Sequence, residues 1–212
     1  MSEFKYIIVE GLIKSGKTKL AKILSEKFGA RLILDNKDNP FLNDYFKSMV
    51  EAEGSLTLKT QLIFLLNRYT QQMEIKQKGL FQKTTISDYI FYRDGIYAHL
   101  ILNSEELEIY KKIFRIFTEN VVSSDLVIYL QISYSEMLRR ISENGSEYER
   151  NVPNEYWREV FEAYNYYFFN YKTSPLLVVN MEKIDLNNKL DIENLLKEIK
   201  QHKKGTRYYA PA

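Results

Sequence analysis

The sequence predicts an α/β fold: a five-stranded parallel sheet covered by helices on both faces, with a small lid. Three observations carry that prediction. Short apolar, β-like runs alternate with helix-length stretches along the chain, the pattern of a parallel sheet whose crossovers lie on its faces. The first run ends at a glycine-bounded loop that opens straight into an amphipathic helix, "EGLIKSGKTKLAKILSEKF". The chain has 212 residues, 45% of them hydrophobic, which suits one good core and a lid rather than two full domains.

The expected strands are "YIIVE" (6–10), "RLILD" (31–35), "TTISD" (84–88), "DLVIYLQ" (125–131) and "PLLVVN" (175–180). Between them lie the helices. "LKTQLIFLLNRYTQQMEIKQ" places Leu58, Leu62, Ile63, Leu65, Leu66 and Tyr69 on a helical period. "NSEELEIYKKIFRIFTEN" opens with Asn103 as an N-cap and Glu106 three residues on, a capping-box pattern. "PNEYWREVFEAYNYYFFNYK" begins with Pro153, which is favourable at a helix start. "DIENLLKEIKQHKK" is acidic at its start and basic at its end, as the helix dipole prefers. The tail "KGTRYYAPA" reads equally as a docked arm or a frayed end.

Composition excludes several classes. A net charge of +2 makes no electrostatic case for nucleic acid or a membrane surface. The absence of cysteine removes disulfides, thiolate chemistry and Cys–zinc sites. No apolar run approaches a membrane span and "MSEFKY" is not a signal peptide, so a cytoplasmic location is the expectation. The two histidines, His99 and His202, form no metal or catalytic spacing.

Residues Gly11 to Thr18 fit G-x-x-x-x-G-K-[ST]. In such a loop the backbone N–H groups cradle a polyphosphate, helped by the positive end of the next helix. Lys17 would reach the β- and γ-phosphates and Thr18 would bind Mg²⁺; Gly11 and Gly16 allow close approach and unusual backbone angles. Ligands in an open α/β sheet bind outside the carboxyl ends of the strands, where the second and third runs end at Asp35 and Asp88. One of these carboxylates would help hold Mg²⁺, and the other would orient or deprotonate an attacking hydroxyl. Arg139, Arg140 and Arg150 flank a polar stretch around Gly145, suited either to a lid over a transferring phosphoryl group or to a solvated face with ordinary ion pairs. "NKLD" at 188–191 matches a guanine-reading motif, but the chain has no D-x-x-G element of a GTPase switch.

Taken together, residues 4 to 200 resemble the deoxynucleoside kinases, especially their bacterial members. The resemblance rests on the phosphate loop, on "DNKDNPFLNDYF", on "TQLIFLLNRY" with Gln61 seven residues before Arg68, and on "SDYIFYRDGIYA". It implies a P-loop kinase fold in a single domain, 1–212, with a lid at about 140–152. The implied activity is ATP-dependent phosphorylation of a deoxynucleoside 5′-hydroxyl with Mg²⁺, by a homodimer. ATP would lie on Gly11, Lys14, Ser15, Gly16, Lys17 and Thr18, with Asp185 in the loop that wraps its adenine. Asp35 resembles the carboxylate that activates the 5′-hydroxyl, Asp88 the acid at the magnesium, and Arg140 the first lid arginine. Gln61 would read the base with Arg68 supporting it, Asp94 would flank it, Phe46 would line the slot, and Glu149 would hold the sugar 3′-hydroxyl. Two positions depart from the family. Tyr89 stands where an arginine is usual, with Arg93 as a substitute charge. Asn144, Gly145 and Ser146 replace the R-G-R of the lid, so turnover is modest or Lys14 compensates. Two alternatives stand beside this reading: a nucleoside monophosphate kinase such as a thymidylate kinase, and a nucleotide-gated interaction protein with little catalysis.

Overall fold

The computed structural model describes residues 4–35, 39–41, 57–78 and 84–211. β1 (Tyr6–Gly11) leads into α1 (Lys17–Phe28), and β2 (Arg31–Ile33) follows. Then come α2 (Thr57–Lys78), β3 (Thr85–Ser87), α3 (Arg93–Ile101) and α4 (Ser104–Thr118). β4 (Leu126–Gln131) precedes α5 (Tyr134–Asn144), α6 (Glu147–Asn151) and α7 (Asn154–Phe169). β5 (Leu176–Asn180), α8 (Lys189–Gln201) and β6 (Thr206–Tyr209) complete the chain.

The strands form one sheet in the order β2-β3-β1-β4-β5-β6, every pair parallel. Six strands, not five, make it up. The tail pairs Leu176↔Thr206 through Val179↔Tyr209, and Arg207 bonds Glu198 of α8 at 2.8 Å. β6 is an edge strand exposed along most of its length, so its sequence carries no apolar alternation to announce it.

The central strands are buried on both faces, as crossover helices require. Ile7, Val9, Ile86, Leu126, Val127, Ile128, Leu130, Leu177 and Val179 are sealed from solvent, each such side chain contributing about 1.5–3 kcal/mol. α7 lays Phe168 flat on Tyr129 of β4, with ring centroids 4.0 Å apart. A second apolar cluster joins Leu65 of α2 to Ala98 of α3 and Tyr110 of α4, and Tyr69 stacks on Phe117 at 4.1 Å. That cluster fixes α2 against α3, which matters for the site. The Asn103–Glu106 capping box is formed, and Pro153 sits one residue before α7. Among the described residues no helix is long and apolar enough to cross a membrane.

Candidate active site

The site lies at the carboxyl ends of β2, β3 and β1. β1 ends in the phosphate loop because its close packing tolerates no side chain at Gly11: a Cβ there would sit 2.8 Å from the carbonyl of Leu130. Gly16 caps α1 with φ 95°, a left-handed conformation open to glycine, and the first N–H groups of α1 face the loop without helical acceptors. Lys17 is half-buried and bonds the Leu12 carbonyl at 3.4 Å. Burial, helped by the nearby Arg93 charge, pulls its ammonium down to about 8.

Asp35 and Asp88 fall just beyond β2 and β3 rather than within them. Asp88 accepts the Thr18 hydroxyl on Oδ2 and the Asp35 backbone N–H on Oδ1 at 2.6 Å. The Thr18–Asp88 pair offers two hard oxygen donors beside the loop. That donor set fits Mg²⁺, which takes one or two protein oxygens and completes its octahedron with water and phosphate oxygens.

Asp35 is gripped by two buried arginines. Arg68 donates side-on, Nε to Oδ1 and Nη2 to Oδ2, both at 3.0 Å, and Arg93 Nη1 donates to Oδ2 at 3.3 Å. Burial would raise the carboxyl, but the two guanidinium charges win and hold it below its ordinary range. Among the described residues three donors meet a group with about four acceptor positions, two of them on Oδ2 and one on Oδ1. Arg68 also bonds Asp94, whose other oxygen accepts the Tyr110 hydroxyl at 2.9 Å; burial pushes Asp94 up to about 6 against the pull of Arg68. Gln61 Nε2 donates to the Asp94 carbonyl at 3.1 Å. Because that carbonyl can only accept, the amide is held with its own oxygen turned away.

These groups line one cavity together with a set of aromatic side chains. Lys17, Thr18, Asp35, Arg68, Asp88, Arg93 and Asp94 give it charged and polar groups, and Phe64, Tyr97, Tyr148, Tyr156 and Trp157 give it aromatic ones, with Gln61 and Glu149 also in the lining; the two kinds meet where Arg68 lies over Phe64 at 5.3 Å and Arg93 over Tyr97 at 5.7 Å. Of the expected slot residues, Phe46 lies outside the described residues. Asn39 ties its segment to α2 through the Thr60 carbonyl at 3.0 Å.

The segment expected to form a lid separates its arginines. Arg139 is exposed and paired with Glu136 and Glu143 on its own helix, and Arg150 turns back onto the Gly145 carbonyl. Arg140 faces inward, donating to the carbonyls of Lys14 at 3.1 Å and Met181 at 3.4 Å. Glu149 accepts the Ser146 N–H at 2.6 Å in a capping box and pairs with Lys14 at 2.9 Å. Asp185 organises its loop by accepting the Asn187 N–H at 2.8 Å. Leu186 of that loop lies over Gly16. Asn188 of the "NKLD" stretch is simply the N-cap of α8.

Sequence reasoning missed Glu10. It is fully buried in β1 and accepts the N–H groups of Gly11 and Ile90, each at 2.8 Å, while Arg93 stands 3.8 Å away. An acid inside the apolar run "YIIVE" was its signal. Tyr89 points into the core with its hydroxyl buried, and Arg93 joins Arg68 on Asp35. The aromatics of α6 and α7 at the slot carried no motif.

The comparisons agree with this architecture. A solved structure of deoxyadenosine kinase from M. mycoides with bound dATP superposes with a TM-score of 0.77 at 24% identity, over 92% of this chain and 98% of that one. The deoxyguanosine kinase of Bacillus subtilis (strain 168) is 29% identical over 95% of this chain and 99% of its own length. A probable thymidylate kinase of Thermoplasma volcanium is 30% identical over 88% of this chain and 100% of its own. The deoxynucleoside kinase family model matches residues 7–204. With that match over nearly the whole chain, the protein belongs to the deoxynucleoside kinase family.

Proposed function

We propose that this protein transfers the γ-phosphoryl group of ATP to the 5′-hydroxyl of a deoxynucleoside, working as a single domain, 1–212, with the segment 140–152 as its lid. The observation that carries the reading is the position of Asp35: it lines one cavity with Lys17 and Thr18 of the phosphate loop and with a set of aromatic side chains, and its Oδ1 accepts a single donor among the described residues. The phosphates of ATP lie on Gly11, Lys14, Ser15, Gly16, Lys17 and Thr18, and the adenine lies beside the loop holding Asp185. Thr18 and Asp88 would hold Mg²⁺, which neutralises charge on the transferring group. The 5′-hydroxyl donates to Asp35 Oδ1, which takes the proton late as the oxygen attacks. A carboxylate below its ordinary pKa suffices because the transition state is loose and needs little help from a strong base. Arg93 orients Asp35, with Glu10 fixing Arg93 from behind. Gln61 presents its carbonyl oxygen to the base, Arg68 and Asp94 brace that edge, Phe46 closes the slot, and Glu149 meets the sugar.

The monophosphate-kinase alternative has one relative in its favour. The charge balance of the slot opposes it. A dianionic acceptor needs spare cations, yet Arg68 is committed to Asp35 and Asp94 and Arg93 to Asp35 and Glu10. A panel of the four deoxynucleosides and their monophosphates with Mg-ATP tests the reading. We expect turnover with at least one deoxynucleoside and none with dTMP; the opposite result overturns it. A nucleotide-gated interaction protein would turn over no acceptor in that panel. The same reading makes the protein a cytoplasmic homodimer. Leu66 of α2 and Ile109 and Ile116 of α4 are about half exposed or more and would be covered in a dimer, so sedimentation should report twice the chain mass.

A further inference from the structure

Lys14 is the one non-glycine residue with positive φ among the described residues, at 58°. A side chain in the left-handed region is disfavoured where glycine would sit freely. The lysine is held there from outside: Arg140 pins its carbonyl, and its ammonium reaches across to Glu149 of α6 at 2.9 Å. Backbone held in a sparsely populated region inside a ligand loop is a sign of a local task.

Apart from Lys17, whose place on the phosphates is already assigned, the arginines around the site are committed among the described residues. Arg139 and Arg150 are satisfied within α5 and the lid, Arg140 by Glu136 and two carbonyls. Arg68 and Arg93 are locked to buried acids. Lys14 sits on the phosphate loop with one partly exposed ion pair among the described residues, 26% and 14% exposed at its two ends. Such a pair is weak. Glu149 also keeps the Ser146 N–H on the same oxygen, so it is not stranded when the lysine leaves.

We infer that Lys14 is a catalytic cation: when ATP binds, its ammonium leaves Glu149 and moves onto the γ-phosphate. It supplies from the loop the charge that Asn144, Gly145 and Ser146 do not supply from the lid. As the acceptor oxygen bonds to phosphorus and the bond to the ADP oxygen breaks, the hydroxyl proton passes to Asp35. Lys14 exchanges no proton and only offsets the charge spreading over the transferring oxygens.

This inference rests on the kinase reading above, and its test separates the two. Lys14→Gly and Lys14→Arg are compared with the wild type for melting temperature, kcat, nucleoside KM, and the affinities of ATP and ADP by calorimetry. Glycine suits the left-handed backbone, so Lys14→Gly should melt no lower than the wild type. Its kcat should fall by about tenfold or more with nucleoside KM little changed, and its preference for ATP over ADP should shrink in step. Lys14→Arg should keep most of both. An unchanged kcat in Lys14→Gly overturns the inference. So does a lower kcat with an unchanged ATP-to-ADP preference, since the lysine would then act only through Glu149. A wild type inactive on every deoxynucleoside sinks the kinase reading instead, and the ATP-to-ADP ratio still decides whether Lys14 meets the γ-phosphate.

Discussion

Asp35 and Asp88 are two carboxylates on neighbouring strands whose surroundings give them different work. Asp88 is tied to the Thr18 hydroxyl and to backbone; Asp35 is tied to two cations. Asp88→Asn should therefore lose activity that added Mg²⁺ partly restores, while Asp35→Asn should lose about 10²-fold or more in kcat with no response to metal. Asp35→Asn should also lower the melting temperature, because a buried pair broken on one side costs about 3–5 kcal/mol; equal metal responses would reverse the assignment. Lys17 makes a prediction about pH. Its folded pKa of about 8 lies below the ordinary value near 10.4, so the folded state binds fewer protons between the two. Stability should rise with pH across that window, Lys17→Met should remove the rise, and ATP affinity in the wild type should fall as pH climbs through about 8. Gln61→Leu keeps volume and deletes the amide, which should raise nucleoside KM by about tenfold and leave the ATP KM alone. Asp35, Asp88 and Lys17 were legible because strand ends and a fixed-spacing loop are sequence patterns; Gln61 and Arg68, on a helix with many polar residues, stood out only through the family resemblance. Glu10 was not singled out, since a charge within a buried strand looks like its end.

At the scale of elements, what escaped was whatever lacked periodicity. β6 is polar and exposed, and its existence depends on the bare edge of β5, which no local sequence describes. Deleting residues 205–212 should uncover that edge, lowering the melting temperature and promoting aggregation visible by light scattering. α6 has only five residues, too few for a hydrophobic period, though "SEYE" spelled its capping box. Ser146→Ala should cost about 1 kcal/mol of local helix. The aromatics that face the slot from α7 read in sequence as one more amphipathic stripe, because the side that meets a ligand and the side that meets a core use the same residue types.

On the scale of the whole molecule, the site is assembled from strand ends that the order β2-β3-β1-β4-β5-β6 brings together. Asp88 touches both halves of that site: one oxygen holds Thr18 on the phosphate loop, the other holds the backbone that carries Asp35. A single side chain is thus a gauge block between Thr18 and Asp35, which under the proposed reaction are the group that steadies the donor and the group that receives the proton. Thermal displacement of the end of β3 carries both with it, so the spacing between incoming and departing oxygens is buffered against motion that would otherwise add independently on each side. Under the proposed reaction, sub-ångström alignment then needs no rigid barrel around the site, only one shared reference point.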